Sequence, residues 1–69
     1  MLNNEEKIEI LSKRIIFLRQ VLAFENENLI ELKKVDHAKV SLVESDISDR
    51  ADSITALEEE LESLGGLLP

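Results

Sequence analysis

Residues 40–64 read VSLVESDISDRADSITALEEELESL, with Val40, Val43, Ile47, Ile54, Leu57, Leu61 and Leu64 alternately three and four positions apart and Arg50 filling the one gap in the series. Helical residues so spaced lie along a single stripe, the a and d positions of a heptad, while the Asp, Ser and Glu residues between them face elsewhere. Residues 8–32, IEILSKRIIFLRQVLAFENENLIEL, repeat the cadence at Ile8, Leu11, Ile15, Leu18, Leu22, Leu29 and Leu32, with Glu25 in the gap. The pattern predicts an all-α protein whose two halves, residues 1–39 and 40–69, each present a coiled-coil seam.

Both ends carry helix-terminating chemistry. Asn3 or Asn4 can cap free backbone amides, and Glu6 follows Asn3 at capping-box spacing. Gly65-Gly66 suits the left-handed residue that closes a helix, Leu67 can fold back, and Pro69 cannot continue one. The two seams are offset by four residues across 33–39. In one continuous helix that offset is a stutter; in a hairpin it is the turn. Because 33–39 contains no Gly, Pro or Asn, its local chemistry favours a long continuous helix, with an antiparallel helical hairpin as the alternative.

The charged seam residues bear on orientation. In a parallel homo-oligomer Glu25 and Arg50 would each meet their own kind, which is costly in a partly desolvated layer. Reflecting the chain about a point near His37 sets Leu18 opposite Leu57, Leu22 opposite Ile54, Leu29 opposite Ile47, Leu32 opposite Val43, and Glu25 opposite Arg50. One ion pair then accounts for both polar positions and sets the register. Charge agrees: residues 1–39 hold seven Lys/Arg and seven Asp/Glu, whereas 40–69 hold Arg50 against eight acids, giving the chain its net −7. A hairpin and an antiparallel dimer both bring these halves together; a parallel trimer does not.

The first half has apolar surface beyond its seam. Ile10, Phe17, Val21 and Phe24 form a second stripe, with Ile16 and Ile30 beside it. A face this wide expects burial against more than one helix, either in a broader homo-oligomeric core or on a different protein anchored by Phe17 and Phe24. The partners expected are therefore the chain itself, as a dimer or trimer, and another protein.

Other classes of function find no support in the residues. Sixty-nine residues form at most one small domain, and without Cys neither a disulfide nor a thiolate zinc site can brace it, which leaves partner helices. His37 is alone, so no histidine metal site is expected, and no cofactor. Ser45-Asp46-Ile47-Ser48-Asp49 lacks a base and an oxyanion donor, so no catalytic site is expected; it reads instead as a weak point or helix restart. The acids Glu58, Glu59, Glu60 and Glu62 read as a solvated face. An acidic chain without a basic face is a poor match for nucleic acid or an anionic membrane. No basic leader region opens the sequence, and a cytoplasmic location is expected.

Arg14-Ile15-Ile16-Phe17-Leu18-Arg19-Gln20-Val21-Leu22-Ala23-Phe24-Glu25, continuing to Leu32, resembles the SlyX family of small bacterial coiled-coil proteins. Their segment runs Arg-Ile, Leu, Leu-Ala-Phe-Gln-Glu and Ile-Glu-Glu-Leu, with a further apolar residue where Val43 stands. The Ser/Asp-rich second half and the Gly65-Gly66-Leu67-Leu68-Pro69 ending depart from that family, which closes on Pro-Pro-His-Tyr. The family has no assigned activity, so the resemblance implies a small coiled coil and no chemistry. Residues 40–64, with the wording of 46–58 in particular, also look like coiled-coil stalks of phage fibre and neck proteins, which are commonly parallel homotrimers. That likeness implies a structural role in assembling a virion or another large complex; the alternative function is a small helical adaptor or inhibitor.

Overall fold

A computed structural model describes all residues, Met1–Pro69. The chain is all-α: helix α1 spans Asn4–Val35, a single 3-10 turn spans His37–Lys39, and helix α2 spans Val40–Ser63. The two helices pack along each other as an antiparallel hairpin measuring 48 × 19 × 15 Å. Its long dimension is that of α1 alone, since 32 residues at a rise of about 1.5 Å each reach about 48 Å.

Of the two arrangements open to the sequence, the chain takes the hairpin, and the continuous helix is the expectation that fails. Asp36 makes the difference. Its backbone leaves the helix (φ −151°, ψ 88°), and its carboxylate accepts the Ala38 amide at 3.1 Å, as an N-cap residue does. Its own amide still donates to Leu32 O at 2.8 Å, completing the last turn of α1. Lys33 and Lys34 lie in that last turn, where cations oppose the negative end of the helix dipole. A short acceptor side chain thus replaces the Gly or Pro expected at a turn. No restart occurs at Ser45–Asp49, because α2 runs through it unbroken.

Both outer ends close as expected. Asn3 Oδ1 accepts the Glu6 amide at 2.8 Å while Glu6 returns a contact to the Asn3 amide, completing a capping box. At the other end the Gly66 amide donates to Leu61 O at 3.0 Å and the Gly65 amide to Glu62 O at 2.9 Å. With Gly65 at φ +84°, these two bonds make a Schellman motif. Replacing Gly65 with Ala forces a side chain into the left-handed region and should cost about 1 kcal/mol, read as a lower thermal midpoint. Gly66 is tight for a different reason: a Cβ there would stand 2.5 Å from Leu61 Cδ1 and 3.0 Å from Ile8 Cγ2.

The core sits toward this end of the hairpin. Leu11, Ile15 and Leu61 are buried together, with Ile8, Leu57 and Leu64 packed around them, and Ile54 is buried farther along α2. The remaining seam residues, Leu18, Leu22, Leu29, Leu32, Val40, Val43 and Ile47, are half-buried. Two helices alone enclose only part of a seam, and four of the 69 residues, Leu11, Ile15, Ile54 and Leu61, are buried.

Candidate protein–protein interface

The register of the hairpin is held by polar contacts on its seam. Arg50 donates from Nε to Glu25 Oε1 and from Nη2 to Glu25 Oε2, a two-pronged pairing of the planar guanidinium with the carboxylate. The side chains are 34% and 18% exposed, so the pair is half-buried and neither charge is stranded. Glu25 holds the Arg50 pKa above its ordinary value, first through the hydrogen bond and also by direct attraction, with Asp46 adding to it, while partial desolvation opposes. A raised folded-state pKa on a cation stabilises the fold at every pH below the ordinary arginine range and fades only above it. The Arg50 charge is accordingly present throughout the neutral and acid range.

A second cross-helix contact lies beside the seam and was not among those expected from the sequence. Arg19 Nη2 donates to Glu58 Oε2 at 3.1 Å, and its Nη1 donates to the main-chain oxygen of Pro69. Glu58 is therefore half-buried against α1, and it departs from the solvated face expected of the Glu58–Glu62 run. The signal available was the e position of both residues, since e faces e across an antiparallel pair. The other ion pairs lie within single segments: Lys13–Glu9 at 2.9 Å, Lys34–Glu31 at 3.6 Å and Lys39–Asp36 at 3.9 Å. Exposed pairs of this kind contribute little stability.

Turned away from the seam is the second stripe. Phe17 is 61% and Phe24 68% exposed, Ile10 is also exposed, and Val21 is half-buried between them and the seam. In heptad terms Ile10, Phe17 and Phe24 occupy c and Val21 occupies g, so they form one strip bordering the α1 seam. Ile16 and Ile30 are exposed at b, on the far side of a polar line made by Lys13, Gln20, Glu27 and Lys34. Helix α2 is less strict than expected, because Leu42 lies outside its seam and is 69% exposed. Otherwise its outer surface is Ser, Thr, Ala and acids.

The chemistry of the remaining surface is plain. No cleft of ligand size opens between the helices, and no three His, Asp or Glu side chains converge as a metal site would require. His37 is exposed in the turn. No helix is long and apolar enough to cross a membrane. What the arrangement offers is an apolar strip on a rigid helix, flanked by charge. No protein-family model, curated protein or solved structure matches the chain.

Proposed function

We propose that this protein is a non-enzymatic helical association module, which joins a larger assembly through the outer face of α1. The observation that carries this reading is the exposure of Phe17 and Phe24 on a helix whose seam is already engaged by α2. Large aromatic side chains in a continuous apolar strip dominate binding energy when covered and favour aggregation when not. The resemblance of α1 to SlyX proteins supports only a small coiled coil; that of α2 to phage fibre and neck stalks supports an assembly role in a virion or comparable complex, as a hairpin and not as a parallel trimer. The exposed Ile16 and Ile30, outside the strip, favour a second reading in which the N-terminal half of a cytoplasmic adaptor or inhibitor clasps a different protein.

The two readings differ in what the purified chain does alone. A self-associating module unfolds and dissociates together, so its thermal midpoint should rise by about 5 °C for each tenfold increase in concentration. An adaptor awaiting its partner should melt at a midpoint independent of concentration. Circular dichroism at 222 nm over a hundredfold range decides between them, and a constant midpoint would sink self-association as the function.

A further inference from the structure

We infer that the strip of α1 is covered by a second copy of this chain, α1 against α1 in antiparallel orientation about a two-fold axis near Gln20 and Val21. The inference rests on the association reading above and names its occupant. Three features of the chain point to it.

The first is area. The accessible surface is 5084 Å². A compact monomer of 7.8 kDa exposes about 4,400 Å², an excess here of about 700 Å². A standard interface removes about 800 Å² from each partner, so one such interface would return each copy to ordinary exposure. The radius of gyration says the same in another way, 15.1 Å against about 11 Å for a compact chain of this length.

The second is placement. The strip belongs to α1, while the equivalent c positions of α2 are Leu42, Asp49, Ala56 and Ser63. A surface present on one helix and absent from the other is covered most fully by its own counterpart. Two copies related by a two-fold axis satisfy that condition, because residue i meets j wherever j meets i.

The third is complementarity along the strip. With c and g as the contact line, α1 reads Ile10, Arg14, Phe17, Val21, Phe24, Asn28, Glu31 and Val35. Antiparallel alignment about the axis sets Phe17 over the second copy's Phe24, brings the two Val21 side chains together, and places Arg14 near Asn28 on the second copy's strip and Glu27 at the strip's polar border, with Ile10 beside Glu31 at the outer ends. Parallel alignment would stack Arg14 on Arg14 and Glu31 on Glu31, like charges at close range. The product is a four-helix bundle with the two α1 helices at its centre and the acidic α2 helices outside. It leaves Glu25–Arg50 and Arg19–Glu58 undisturbed within each hairpin.

The chain has no cysteine, so single cysteines report the arrangement cleanly. Under mild oxidation Val21→Cys should give disulfide-linked dimers in high yield, while Ile10→Cys, far from the axis, should remain unlinked. Sedimentation of the unmodified chain should show a dimer, and Phe17→Glu with Phe24→Glu should weaken it at least 100-fold. If that double variant also loses helicity, the cysteine pair still decides. Efficient linkage through Ile10→Cys would overturn the antiparallel arrangement, and a dimer in which Val21→Cys does not link would overturn the surface. A folded monomer at all concentrations would overturn the second copy as occupant while leaving docking to a different protein in place. A trimer would exclude the two-fold bundle.

Discussion

Ile15→Ala should unfold most of the protein at 25 °C, whereas Ile16→Ala, one residue away, should leave it folded. Ile15 is fully buried between α1 and Leu61, and Ile16 is 44% exposed. Truncating a buried Ile to Ala costs about 2–5 kcal/mol, through the lost transfer energy and the cavity left behind. A chain of this size draws only about 3–5 kcal/mol from its core, so a loss of that order exhausts the margin. Ile16 keeps nearly half of its surface in water and lies outside the seam, and its truncation should cost less than about 1 kcal/mol. The pair isolates burial from helix propensity, since the same substitution is made in the same turn. Helicity at 222 nm, with urea titration of the survivors, checks both. Equal losses would mean that Ile16 is covered in solution and that the face beyond the seam extends to the b positions.

Arg50→Leu should lower the thermal midpoint by several degrees and more than Glu25→Leu does, and the double leucine variant should recover most or all of the loss. The asymmetry comes from the geometry of the pair. Glu25 is short and the more buried partner, so removing Arg50 leaves a carboxylate that cannot reach water easily. Arg50 is long and more exposed, and its guanidinium can swing outward once Glu25 is gone. Two leucines restore an apolar layer continuous with Leu22, Leu29, Ile47 and Ile54 and leave no charge in the seam. The recovered stability should come with a looser register, visible as a broader distribution of species on gel filtration, because Arg19–Glu58 beside the seam is then the one polar contact left between the helices to favour a particular alignment of the heptads. If the double variant is the least stable of the three, the ion pair is a net source of stability and not merely a register device.

The heptads made the seam legible because a and d positions are a matter of spacing, and spacing survives whatever the helices pair with. Glu25 and Arg50 were legible as partners for a similar reason: two opposite charges interrupting two apolar stripes have few ways to be neutralised, and reflection of the chain is one. The place of the turn was legible in the four-residue offset across 33–39, but not that the chain would turn there instead of continuing as one helix. Residues 33–39 carry no helix breaker, and Asp36 acts through a capping bond that an Asp on the face of a long helix could equally forgo. Arg19–Glu58 was hidden within an acidic run that resembles ordinary solvated surface, and only the hairpin places one member of that run beside α1. The strip of Ile10, Phe17, Val21 and Phe24 could be located from sequence, but its occupant could not, since a stripe records where apolar surface lies and not what meets it.

The position of the core within the hairpin bears on how the chain comes together. Leu11 and Ile15 belong near the beginning of the sequence and Leu61 near its end, with Gly66 closing over Ile8 beyond them. Around the turn, by contrast, Leu29, Leu32, Val40 and Val43 are only half-buried. The best-packed contacts are therefore the least local ones, and forming them closes a loop of nearly the whole chain. Helical proteins usually fold fast because their contacts are near neighbours along the chain, and this hairpin forgoes part of that advantage.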